Sequence, residues 1–114
     1  MSQPPLSILA FGIDSHLVST VNNRLRAQGI DAESLAISNT PSSDAEIAQI
    51  VRSKNWNGFF VGYGVRHDRQ WFERVKRIVH DANPNIPLIH HEGPSDAERA
   101  IERHFNVRLP LVRT

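Results

Sequence analysis

Four times along this chain an apolar run of strand length gives way, within a few residues, to apolar side chains recurring at helical spacing. Strand–helix repeats joined by short connections force right-handed crossovers and a parallel sheet with helices on both faces. The first run, Leu6 to Ile13, is apolar almost throughout, as expected of a strand covered on both sides. The second, Ala32 to Ile37, is more polar and suits a sheet edge. Asn57-Gly58 turns the chain into the third, Phe59 to Val61, and Ile86 to His91 supplies the fourth. The expected fold is a single α/β domain over residues 1–114, with four parallel strands in the order 2-1-3-4.

The helices are marked by faces and caps. Asp14 or Ser15 starts a helix with Leu17, Val18, Val21 and Leu25 inward, closed by Gly29. Ser43 and Glu46 have capping-box spacing ahead of Ile47, Ala48, Ile50 and Val51, with Ala45 on the same inner face. A third helix begins near Asp68 and carries Trp71, Phe72, Val75, Ile78, Val79 and Ala82 on one face, before Asn83-Pro84 stops it. Ser95 and Glu98 are spaced to cap a last helix with Ala97, Ala100, Ile101 and Phe105. Residues 106–114 form an apolar tail, expected to cover the fourth strand's open edge or to pack on a second copy as a homodimer.

Composition narrows the classes of function. With 114 residues and a net charge of +1, the chain has one core and no basic run or aromatic platform, so no nucleic-acid partner is expected. The absence of cysteine excludes disulfides and thiolate chemistry. No apolar stretch is long enough for a membrane span, and Met1 to Pro5 lacks the basic and apolar regions of a signal peptide. The expectation is a cytoplasmic protein with no membrane partner.

In open parallel sheets, ligands bind beyond the carboxyl ends of the strands, between the two central ones. Here that position collects Gly12, Asp14, Ser15 and His16 after the first strand, and Gly62, Tyr63, Gly64, Arg66 and His67 after the third. Glycines at 62 and 64 let a ligand approach the backbone, and Arg66 beside a helix start suits a carboxylate or phosphate. His90 and His91 are strand neighbours and point to opposite faces, so only one enters the crevice. His91, at the strand's end, is the candidate acid or base, with Asp14 as its partner. Plainer roles stand beside these: Asp14 as a helix cap, Arg66 in an ion pair with Asp14 or Asp68, and Tyr63 in ordinary packing. His16 and His67 follow the central strands, yet no spacing typical of a metal site accompanies them, and no metal or organic cofactor is expected.

Gly12-Ile13-Asp14 and Gly62-Tyr63-Gly64-Val65-Arg66 resemble the G-h-D and G-x-G-h-R motifs (h, apolar) of a family of small single-domain flavodoxin-like, or Rossmann-like, proteins from bacteria and fungi with no assigned activity. The likeness spans most of the chain and implies a flavodoxin-like three-layer fold. It departs from the family at His90-His91-Glu92, where an Asn-Thr pair is expected. The outline is also similar to a receiver domain, but the acidic pair, the phosphorylatable aspartate and the late lysine are missing. Neither G-x-G-x-x-G nor a P-loop occurs.

Two functions remain open from the residues. One is a binder of an anionic small molecule at the strand ends, as in a cofactor-free isomerase or lyase using Asp14 and His91. The other is a non-catalytic, receiver-like module acting through dimerisation or partner docking.

Overall fold

The computed structural model describes residues 6–111. The start, Met1 to Pro5, and the end of the tail, residues 112–114, lie outside the described residues, and with them the signal-peptide reading and Val112. The elements run β1 (Ser7–Gly12), α1 (Ser15–Ala27), β2 (Asp31–Ala36), α2 (Pro41–Arg52), β3 (Gly58–Val61), α3 (Tyr63–Arg66), α4 (Arg69–Ala82) and α5 (Ala97–Phe105), the last entered through a 3-10 turn at Pro94–Asp96. The chain is a mixed α/β protein with an open parallel sheet.

Among the described residues that sheet has three strands in the order β2-β1-β3, not four. The segment expected as a fourth strand reaches the right place beside β3 but makes a single bridge, Leu88 to Phe59. Two hydrogen bonds hold it, Phe59 N–H to the Pro87 carbonyl (3.1 Å) and Ile89 N–H to the Phe59 carbonyl (2.8 Å). Proline explains the shortfall: Pro87 has no N–H to extend a ladder, and Pro84 and Pro94 bracket the segment closely.

Alternation along β1 divides the core. Leu9 and Phe11 face one side with Ile47 and Val51 of α2 and Trp71, Val75 and Val79 of α4. Ile8 and Ala10 face the other with Val21 and Leu25 of α1 and Ala100 and Ile101 of α5. Both faces of the central strand are therefore covered, which is why its sequence is apolar throughout.

Several local expectations change. Thr40, not Ser43, caps α2: its hydroxyl accepts from Ser43 N–H at 3.3 Å, and Pro41 takes the first helical position that suits its fixed φ. Ser43 is buried in the first turn, where its Oγ accepts from Ser38 N–H (2.9 Å), and Ala45 is exposed. Ser95 makes no cap for α5; Asp96 instead accepts from Glu92 N–H (3.0 Å), and Glu98 pairs with Arg24 of α1. Gly29 adopts the left-handed conformation (φ 86°) and closes α1 as the sequence indicates.

The tail returns to its own chain. Val107, Leu109 and Leu111 pack on the α1/α5 side of the core, and Leu111 N–H donates to the Gln28 carbonyl at 2.8 Å. Among the described residues no helix is long and apolar enough to cross a membrane.

Candidate functional site

A cavity of about 310 Å³ opens at the carboxyl ends of β1 and β3, the crevice position expected for this topology. Its floor is the cross-strand pair Ala10 and Phe60, side by side on the α1/α5 face. One wall is Leu17, Val18 and Val21 of α1; the other is His91 and Ala97. Gly12 to Asp14 and Gly62 to Gly64 form the rim. A Cβ on Gly12 would lie 2.6 Å from Val18 Cγ2, so any side chain there would push Val18 or α1 away from β1.

The crevice is largely apolar, and large apolar side chains crowd its mouth beside Asp14. Ile13, Leu17 and Tyr63 are large hydrophobic side chains with 54%, 43% and 65% of their surface exposed, and all three border the opening. Ile13 lies over Gly64, where a Cβ would meet its Cδ1 at 2.6 Å.

Of the residues singled out from sequence, Gly12, Asp14, Gly62, Tyr63, Gly64 and His91 line this one crevice; Ser15, His16, Arg66 and His67 do not. Asp14 is the N-cap of α1, its Oδ1 accepting from His16 N–H (3.0 Å) and Leu17 N–H (3.2 Å). Its carboxylate occupies the amides an incoming anion would otherwise take. Asp14→Ala is therefore expected to cost about 1 kcal/mol in a urea melt, the usual worth of a cap. Ser15 and His16 are exposed in the same first turn. Gly62 to Arg66, which follow the third strand, form a short helical turn with Gly62 at its N-cap, followed by α4 with Asp68 accepting from Trp71 N–H at 3.2 Å. His67 is exposed and stacks on the Tyr63 ring, centroids 5.5 Å apart. Among the described residues no three His, Asp or Glu side chains gather as metal ligands.

His91 packs edge-on against Phe60, ring centroids 4.7 Å apart. Burial, then the positive charge of Arg66, pushes its pKa down from the usual 6.5 to about 4, although Asp96 pulls the other way. The imidazole is thus neutral at pH 7. Between pH 6.5 and 4 the unfolded chain holds a proton on this histidine that the folded chain refuses, so its contribution is full above pH 6.5 and lost as pH falls to 4. Denaturant melts across that window are expected to show falling stability, with a shallower fall in His91→Gln.

Arg66 is the unusual member. Its Nε and Nη2 are buried and have no hydrogen-bond partner among the described residues, while its Cζ lies 6.0 Å from the centre of the Tyr63 ring. Neither Asp14 nor Asp68 is its ion-pair partner: one caps α1 and the other α4. The guanidinium stands against Tyr63 and influences His91, two side chains that do line the crevice.

Sequence reasoning missed the apolar walls, Ala10, Leu17, Val18, Val21, Phe60 and Ala97. Leu17 at a helical-face position reads as core, and only the small Ala10 and Gly12 along β1 hint at open space above the strand. Comparisons with protein-family models, curated proteins and solved structures find no match for this chain.

Proposed function

We propose that this chain is a flavodoxin-like cytoplasmic protein that binds an anionic small molecule in the crevice beyond β1 and β3, with no nucleic-acid or membrane partner. One observation carries the reading: a permanently charged guanidinium has two buried nitrogens without partners, one aromatic ring away from an apolar cavity. A cavity of this size, largely apolar and with few polar groups, is typical of ligand sites. His91, neutral at pH 7, is the group available to accept a proton from a bound molecule, as a cofactor-free isomerase or lyase requires. Asp14, held as a cap, contributes its fixed negative charge at the rim.

The test is a thermal-shift screen of small carboxylates and phosphates on the protein and on Arg66→Ala. A ligand at 100 times its dissociation constant adds about 2.7 kcal/mol of stability. Stabilisation that survives in Arg66→Ala would count against the anion site.

A second reading, the interaction module, is favoured by the exposed Ile13, Leu17 and Tyr63 around one opening. On that reading the crevice mouth, not the tail, is the homodimer contact. Sedimentation at rising concentration should then show association that Leu17→Glu abolishes; a monomer throughout removes it.

A further inference from the structure

Two of this protein's other arginines, unlike Arg103, which meets Asp96 through Nη1 and Nη2, show the pairing that indicates the ligand's chemistry. Arg24 presents Nε and Nη2 side-on to the two carboxylate oxygens of Glu98. Arg74 presents the same two nitrogens to Asp44, Nε to Oδ2 at 3.0 Å and Nη2 to Oδ1 at 3.4 Å. In Arg66 those same nitrogens, Nε and Nη2, are the ones buried and empty. A planar guanidinium edge of this kind matches a carboxylate with two parallel hydrogen bonds.

Resting on the crevice reading above, we infer that the ligand is an amphipathic monocarboxylate: one carboxylate taken side-on by Arg66, and an apolar body of about ten non-hydrogen atoms in the crevice. The size follows from 310 Å³ at roughly the 30 Å³ a water occupies in the liquid. The apolar body follows from Ala10, Val18, Val21 and Phe60, which offer it no hydrogen bond. The single charge follows from the surroundings. Arg66 brings one positive charge; Asp14 on the rim is negative, and Asp96, whose charge reaches His91, is already paired with Arg103 at 3.0 Å. A phosphate monoester, carrying about −1.5 to −2 at pH 7, would leave charge unmatched there. Tyr63 lines the crevice with its ring centre 6.0 Å from the Arg66 Cζ, and for a carboxylate to reach the guanidinium that exposed ring would have to leave its stack on His67.

The experiment is a methyl NMR titration at pH 7 with octanoate, octanamide and octyl phosphate, following the Ala10, Val18 and Val21 methyl groups in the protein and in Arg66→Gln. Octanoate is expected to shift these signals with a Kd at least tenfold below that of octanamide. Arg66→Gln should erase that ratio while octanamide still binds. Octyl phosphate binding tighter than octanoate, through Arg66, would overturn the monocarboxylate assignment and leave the anion site standing. Equal affinities for all three, or a ratio that persists in Arg66→Gln, would overturn the anion site as well. Silence of those methyl groups with every compound would overturn the crevice itself.

Discussion

Phe60→Ala is expected to remove about 3–5 kcal/mol of folding stability and to return the His91 pKa most of the way towards 6.5. Both effects have one origin. Phe60 is 3% exposed, stands opposite Ala10 across the sheet, and shares a core cluster with Leu25, Ile89 and Ile101. Deleting its ring loses the transfer free energy of a large aromatic and leaves a void among stiff neighbours. The void would open into the crevice, so water would reach the imidazole that the ring now shields. Burial is the foremost cause of the depressed His91 pKa, so restoring water should undo most of it, while the Arg66 charge keeps part.

Urea melts give the first quantity and an NMR titration of the His91 ring protons gives the second. A loss this large is a fifth or more of the roughly 5–15 kcal/mol typical of a whole domain. Phe60→Leu therefore accompanies it, a smaller truncation expected to remain folded with a pKa partway up. A His91 pKa unchanged in both would mean that Phe60 does not govern its environment.

The architecture was legible where periodicity decides structure. Leu6 to Ile13 reads as a doubly covered strand because it is one, with Leu9 and Phe11 on one side and Ile8 and Ala10 on the other. Legibility fails where local chemistry competes. Ser43 and Glu46 have the spacing of a capping box, but Pro41 fixes the first turn earlier and hands the cap to Thr40. Ile86 to His91 has strand composition, and Pro87 helps reduce it to one bridge. The rim glycines, Asp14, Tyr63 and His91 were expected at one crevice because they follow strands or strand-like segments, and they do line one cavity. The apolar walls were not found, since nothing in a sequence separates a valine lining a cavity from one filling a core. Nor does it show that Arg66 lacks partners: Asp14 and Asp68 are both near it in the chain pattern, and both are spent on helix amides.

Arg66→Met should make the unliganded protein more stable, by about 1–2 kcal/mol, a rise in melting temperature of about 4–10 °C. The sign is what matters. A surface arginine replaced by methionine is ordinarily neutral or slightly harmful, and an arginine taken from an ion pair leaves a carboxylate behind. Arg24→Met and Arg74→Met, which would strand Glu98 and Asp44, are accordingly expected to lose about 0.5–1 kcal/mol. Arg66 differs because two of its nitrogens have left water and gained no acceptor. A methionine, which reaches about as far as the arginine Nε, keeps the packing of the aliphatic stem and removes that desolvation cost. The Tyr63 ring face offers only partial relief, for its exposed edge keeps the interaction in contact with solvent. The same substitution should raise the His91 pKa modestly by removing the nearby positive charge, and should abolish the preference for octanoate over octanamide. Gain of stability with loss of ligand discrimination is the pattern of a residue held for binding at the fold's expense. Thermal melts of the three variants side by side decide it: if Arg66→Met falls with Arg24→Met and Arg74→Met, the guanidinium is already satisfied and has no need of a ligand's carboxylate.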